Sequence, residues 1–248
     1  MADRRGARRY GGHSAAVYTP VALLLIVFVS AFGVSVFFRV TAIVVSGASK
    51  YTQDEIISQS GLEVGDNLIF INRDAAARRL RQLPYVSDVR IVPRLPDTVE
   101  VIITEAVPIA VVRADGKDWL IDSDARILEQ TDGASGADHI SVRGVTPASP
   151  EPGAGMEVAA DSETRLNYLK ELLRAIEKKG IQGDVDDIDI SNISAITFLY
   201  RDITVVIGSG DDAEYKIDRM LGAEEEARRS GSTVVKIDVS KDEHVSVL

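Results

Sequence analysis

The residue types that could do covalent chemistry are few in this chain, and their spacing is wrong for it. Cysteine is absent, which removes thiolate nucleophiles, thiolate metal ligands and disulfides together. The three histidines, His13, His139 and His244, are scattered. No H-E-x-x-H or similar ligand spacing joins them, so they are expected to be ordinary solvent-exposed side chains, and a metal site on His139 and His244 is disfavoured. No serine has a lysine three residues later, the arrangement that activates the hydroxyl in transpeptidases. The acidic run "GDVDDIDIS" (Gly183–Ser191) begins like a calcium loop at Asp184 and Asp186. Its fifth position is Ile188 and its sixth is Asp189 instead of the glycine such a loop needs for its turn. A strand that turns Val185, Ile188 and Ile190 inward and its carboxylates outward accounts for the run better. "GSGDD" (Gly208–Asp212) reads as a turn and helix N-cap, because its acids would repel a phosphate. These residues imply no catalytic group, no cofactor and no metal.

Charge narrows the partners. The formal net charge is -10 over 248 residues. Residues 1–20 carry +3 (Arg4, Arg5, Arg8 and Arg9 against Asp3) and Arg39 adds +1, so residues 40–248 carry -14. A body this acidic does not bind nucleic acid, which needs lysine and arginine gathered on one face. The absence of cysteine also suits an oxidising extracytoplasmic space.

No charged residue lies between His13 and Arg39, and "VALLLIVFVSAFGVSVFF" (Val21–Phe38) is almost wholly apolar. With Tyr18–Pro20 it approaches the ~30 Å of a bilayer's hydrocarbon core. The arginines precede it, which places the N-terminus in the cytoplasm and everything after Arg39 outside. A cleaved signal peptide fits less well, since its best small-residue site, "AFG" (Ala31–Gly33), lies well inside the apolar run. The expectation is a cytoplasmic tail (1–17), a transmembrane helix (18–38) and two outer domains (39–107 and 108–248).

The elements of the first domain follow from period and punctuation. "VTAIVVSG" reads as a strand with Ile43 and Val45 inward. "YTQDEIISQSG" reads as a helix with a capping box at Thr52 and Glu55, a hydrophobic staple between Tyr51 and Ile56, and a stop at Gly61. Leu68 and Phe70 are the expected anchors of the crossover. A second helix over Arg73–Leu83 lines up Ala76, Leu80 and Leu83 before Pro84 stops it. A hairpin follows, Tyr85–Val92 and Thr98–Glu105. Tyr85, Val89 and Ile91 alternate with Asp88 and Arg90, Val99, Val101 and Ile103 with Glu100 and Thr104, and Pro93 and Pro96 frame the connection. The order is β-α-α-β-β.

The second domain mixes short strands and helices. Asp115-Gly116 signals a hairpin between Ile109–Arg113 and Trp119–Ile121. "TDGASGAD" (131–138) and "TPASPEPGAGMEVAA" (146–160) read as loops around a short strand in "HISVRGV". Ser162–Lys179 reads as a helix with Leu166, Leu169, Leu173 and Ile176 on one stripe and Gly180 after it. A strand pair (Ala195–Tyr200, Ile203–Gly208), a helix over about Asp212–Arg229 burying Ile217, Met220 and Leu221, and the closing segments Thr233–Ser240 and His244–Leu248 complete it. The fold class is therefore α+β, an N-terminal membrane helix followed by a small β-α-α-β-β domain and a larger β-rich domain.

This order, with V-x-G (Val45, Gly47), T-x-x-E-I (Thr52–Ile56), G-x-N-L (Gly65–Leu68), L-P-x-V (Leu83–Val86), L-P-D-T-V (Leu95–Val99) and E-x-x-P (Glu105–Pro108), resembles the FtsQ/DivIB family of bacterial cell-division proteins. The first outer domain resembles its POTRA domain. "LIDSDARIL", "ITVVIGS", the helix bearing Lys216 and "KIDVS" resemble its β domain. Two departures stand out: Ala106, where the family commonly carries a basic residue, and Ala125, where a turn glycine is usual.

The resemblance implies a non-enzymatic scaffold at the division septum. It implies binding of FtsB/DivIC-like and FtsL-like partners outside the membrane, and contacts to other septal proteins through the POTRA domain. It maps partner binding to the closing strands, with Val235, Ile237, Val239, Lys241, Val245, Val247 and Leu248 as the expected residues. A strand offered at a sheet edge suits that role, because backbone hydrogen bonds capture another chain's strand. Two other readings are a membrane-anchored peptidoglycan-active enzyme or regulator with a carboxylate site, and a POTRA-bearing export or assembly component.

Overall fold

The structure is a computed structural model that describes residues 13–132, 138–241 and 244–248, and not the side chains at 13–17, 31, 35 and 244. Most of the expected N-terminal tail and of the loop 131–138 lies outside the described residues. The chain begins with helix α1 (His13–Phe37), 25 residues long. Its apolar side chains face outward, Leu24 being 69% and Phe28 72% exposed. Among the described residues no helix is long and apolar enough to cross a membrane; positions 31 and 35 of α1 are not among the described side chains.

The first domain has the expected order: β1 (Ala42–Ser46), α2 (Gln53–Ser60), α3 (Arg73–Leu80), β2 (Val86–Arg94) and β3 (Thr98–Glu105). Its sheet runs β1-β3-β2, with β1 parallel and β2 antiparallel to β3. The capping box forms: Thr52 Oγ1 accepts from Glu55 N, and Thr52 N donates to Glu55 Oε2 at 2.8 Å. Ile56, Leu80, Val99 and Val101 are buried between helices and sheet. Each such side chain contributes about 1.5–3 kcal/mol relative to exposure.

Three expectations are corrected. Helix α3 stops at Leu80 instead of Leu83, since Pro84 forbids helical backbone at Leu83. Pro93 lies inside β2, paired with Val99; β2 is an edge strand, where a missing N–H is tolerated. Leu68 is buried but Phe70 is 76% exposed, because the turn that carries Phe70 N to Asn67 O (2.9 Å) sends the ring outward.

The second domain is one nine-stranded sheet, β4 (Ala110–Ala114), β5 (Lys117–Ile121), β6 (Ile127–Thr131), β7 (Ile140–Arg143), β8 (Val185–Asp189), β9 (Ile196–Tyr200), β10 (Ile203–Gly208), β11 (Lys236–Lys241) and β12 (His244–Val247), in the order β12-β11-β10-β9-β8-β7-β4-β5-β6. Helices α4 (Glu163–Lys179) and α5 (Ala213–Ser230) pack on it. The expected α4 stripe is buried, with Leu172 and Ala175 added. Of the three α5 residues, Ile217 and Met220 are buried and Leu221 half-buried. Asp115 and Gly116 both have positive φ, 50° and 73°, the backbone a two-residue hairpin of this hand requires.

The two domains share a small core of Tyr85 and Ala106 with Leu120 and Leu128. Arg126, in the turn before β6, reaches back across it. Its guanidinium donates to Leu83 O (3.0 Å), Val86 O (3.1 Å) and Arg81 O. These carbonyls follow the end of α3, where a cation is favoured.

Candidate partner-binding edge

The nine-stranded sheet ends in β12, and the way β12 arrives there decides what its edge offers. Strand β11 comes in after α5 and pairs parallel with β10 (Thr204↔Lys236, Val205↔Ile237, Val206↔Asp238). The chain then reverses, and β12 returns antiparallel along β11 (Ile237↔Val247, Asp238↔Ser246). Among the described residues, no strand pairs with the outer side of β12.

The hydrogen-bond phase of that edge can be read from its last residue. Leu248 N donates to Lys236 O at 3.0 Å, and Lys236 N donates to Leu248 O at 3.1 Å. Lys236 and Leu248 are thus a hydrogen-bonded pair. The neighbouring pair, Ile237 and Val247, is then a non-hydrogen-bonded one, and the backbone N–H and C=O of Val247 point away from β11.

The seven expected residues divide by environment. Ile237 and Val239 are fully buried in the domain core. They hold β11 in place and offer no side chain to a partner in this conformation. Val245 packs partly against that core. Val235, Val247 and Leu248 are 61%, 42% and 70% exposed, and Lys241 is exposed at the end of β11.

Beside β12 lies an open groove of about 470 Å³ lined by Ala223, Glu226, Ala227, Val245, Val247 and Leu248. Sequence reasoning missed its helical wall. The signal was present in Arg219, Ala223, Glu226 and Ser230, which recur at helical spacing on one face of α5. Arg219 Nη1 donates to Lys241 O at 2.8 Å, which ties α5 to the end of β11. Asp238 is stiffened locally: partial burial pushes its carboxyl up, but hydrogen bonds from Ser240, with Lys236 and Lys241 nearby, hold it below the usual aspartate range.

The other chemistry-bearing residues are engaged in structure. Val185, Ile188 and Ile190 are buried, with a bulge between Val185 and Asp187 that accounts for their uneven spacing. Arg143 Nε donates to Asp187 Oδ1 at 3.0 Å, and Arg201 pairs with Asp184 at 3.0 Å. Asp189 accepts from Ser191 N at 2.9 Å, a bond that holds its carboxyl below the usual range. Among the described residues, no group of three or more histidines or acids is placed to hold a metal ion. His139 precedes β7 and His244 begins β12, five strand steps apart in the sheet, or about 24 Å. At the domain junction a wide cleft of about 820 Å³ is lined by Lys50, Tyr85, Glu105 and Glu129, with the Tyr85 ring itself buried. Burial, then the hydrogen bond and charge of Glu129, push the Tyr85 hydroxyl well above its usual range. Glu105 accepts from Ser49 N (2.6 Å) and Lys50 N (2.7 Å).

Residues 38–106 match the family model for the POTRA domain of FtsQ type. The chain is 25% identical over 183 residues to the cell division protein DivIB of Clostridium tetani, covering 74% of this chain and 68% of that protein. It is 29% identical over 191 residues to the cell division protein FtsQ of Streptomyces griseus, covering 75% and 86% respectively. With FtsQ of Corynebacterium glutamicum the identity is 33% over 108 residues, 42% of this chain and 48% of that one.

Proposed function

We propose, from the premise that this chain is a member of the FtsQ/DivIB family of cell-division proteins, that it is a single-pass scaffold of bacterial division. Its outer domains gather other divisome proteins and make or break no covalent bond. The likeness to DivIB and FtsQ proteins supports the role in division. The charge-free run Val21–Phe38 behind four arginines supports an anchor with the N-terminus in the cytoplasm and residues 39–248 outside. Residues 1–17 would form the cytoplasmic tail, 18–38 the span, 39–107 the POTRA unit and 108–248 the β domain, with the protein acting in the cell membrane at the septum.

The observation that carries the binding reading is the open outer edge of β12, whose Val247 backbone groups point outward beside a groove of mixed lining, with Val245, Val247 and Leu248 on one side and Glu226, Ser230 and Thr233 among the rest. An extended segment of an FtsB/DivIC-like partner, with its FtsL-like companion, adds there as a further strand. Backbone bonds supply capture, and the groove selects the side chains. The POTRA domain meets other septal proteins.

The test is binding of the outer segments of such partners to residues 40–248, against the Val247→Pro variant. Proline removes the outward N–H and leaves the β11 ladder intact. Lost binding with unchanged thermal unfolding supports edge addition. Undiminished binding sinks it.

A further inference from the structure

We infer that the end of the POTRA domain nearest α1 is a lipid-contacting rim, seated in the interface of the outer leaflet; this rests on the reading of α1 as a span. The first observation is where the exposed apolar side chains fall. Five large hydrophobic residues between Arg39 and Ala106 are conspicuously exposed: Val44, Val64, Ile69, Phe70 and Leu95. Only Val44 lies on a strand. The others occupy two loops, residues 61–72 and the β2–β3 turn.

The sheet register places both loops at one end. Ala42, the first residue of β1, pairs with Thr98, the first of β3, which in turn pairs with Arg94, the last of β2. The β2–β3 turn therefore lies where the chain leaves α1, and Val86 with Glu105 mark the far end. The hydrogen bonds agree. Thr41 N donates to Asp97 O at 2.8 Å, and Thr41 Oγ1 to Asp97 Oδ2 at 2.7 Å. Gly65 N donates to Val40 O at 2.8 Å, and Leu68 N to Phe38 O at 2.7 Å.

One bond fixes the depth. Asn67 Nδ2 donates to Val34 O at 3.1 Å. Val34 lies inside the charge-free run, four residues before its last residue Phe38, or about 6 Å along the helix axis. A span that ends at Phe38 thus brings the loop carrying Ile69 and Phe70 down to the level of its own last turn. At that level water gives way to headgroups and acyl chains, where aromatic and aliphatic side chains are stabilised about 5–10 Å deep. Ile69 is 50%, Val64 67%, Leu95 69% and Phe70 76% exposed; exposure of that kind is costly in water and favourable in lipid. Arg39 and Arg73 are exposed beside them. Of the three acids in these loops, Asp97 accepts from Thr41 and Asp66 from Glu63 N, while the Glu63 side chain is exposed. The rim sets the tilt of the POTRA domain, and through the Arg126 contact that of the β domain.

The test uses the full-length protein in vesicles of phosphatidylethanolamine and phosphatidylglycerol. The natural absence of cysteine makes each introduced thiol unique. Phe70→Cys and Leu95→Cys carry an environment-sensitive fluorophore, beside Phe28→Cys within α1 and Ser87→Cys at the far end of β2. Lipids brominated at shallow or deep acyl positions serve as quenchers. The expected result is loss of emission from the labels at 70 and 95, stronger with shallow than deep bromines. The label at 28 is quenched most by deep bromines, and that at 87 is untouched. Labels at 70 and 95 that behave like the one at 87, with 28 still quenched, overturn the rim and leave the span standing. An unquenched label at 28 overturns the span, and the rim with it. Quenching at 70 and 95 that needs an added partner protein overturns lipid as the occupant.

Discussion

Arg126 and Leu83, 43 residues apart in sequence, are joined by a 3.0 Å hydrogen bond from guanidinium to backbone carbonyl. With its bonds to Val86 O and Arg81 O, that side chain ties the two domains together, beside the Lys50–Glu129 ion pair at 3.5 Å. A lysine places one ammonium where the guanidinium's fork engages several carbonyls. Arg126→Lys should therefore cost about 1.5–3 kcal/mol, with faster amide exchange in residues 81–86. An unchanged exchange pattern would show that the apolar contact of Tyr85 and Ala106 with Leu120 and Leu128 suffices.

Asp122, four residues earlier, makes a pH prediction. It is 7% exposed. Burial raises its carboxyl above the usual aspartate range, and hydrogen bonds from Arg126 N and Asp124 N offset only part of that. A folded-state pKa above the unfolded one means that the protonated form favours folding. That stability is full below the unfolded pKa and is lost as pH rises through the folded one. Asp122→Asn keeps an acceptor for both N–H groups without the charge. It should unfold at a higher temperature than the parent at neutral pH, with the gap closing as pH falls below the aspartate range. A gap independent of pH would refute this.

Gly47 follows β1 with φ of +79°, and a Cβ there would lie 2.1 Å from Ile103 O. Both the left-handed backbone and the approach of β3 exclude a side chain. Gly47→Ala should cost more than about 1–2 kcal/mol, measured by denaturant unfolding of residues 40–248. A smaller loss would mean that β1 can separate from β3 cheaply.

The closing strands should separate stability from binding. Ile237→Ala removes a fully buried side chain and should cost about 2–5 kcal/mol. Leu248→Ser alters an exposed one and should stay within about 0.5 kcal/mol while weakening partner capture. Equal effects on stability would place Leu248 in the core and remove the edge from consideration.

Much of this was legible because it rested on local rules. Thr52 with Glu55, Gly61, Asp115-Gly116 and Gly180 each announce a conformation within a few residues, and each adopts it. The alternation of Val99, Val101 and Ile103 predicted their burial for the same reason. What was not legible depended on distant pairing. Ile237 and Val239 alternate as an edge strand would, but alternation does not reveal that β12 returns to take the edge from β11 while their side chains fill the core. Phe70 reads as an anchor by type, and only the turn at Asn67 turns it out. Ala125 takes a positive φ of 56° fully buried, so the turn keeps its shape without the usual glycine.

The parallel entry of β11 beside β10 has a consequence for the timing of assembly. The strands that create the outer edge are made after β4 through β10, which leave the ribosome earlier and begin to fold as a unit. Until residues 236–248 emerge, the sheet ends at β10, and its exposed edge has a different sequence and phase. A chain clipped or still unmade beyond β10 is therefore silent toward a partner that reads β12, so competence to recruit waits on the two strands that follow α5.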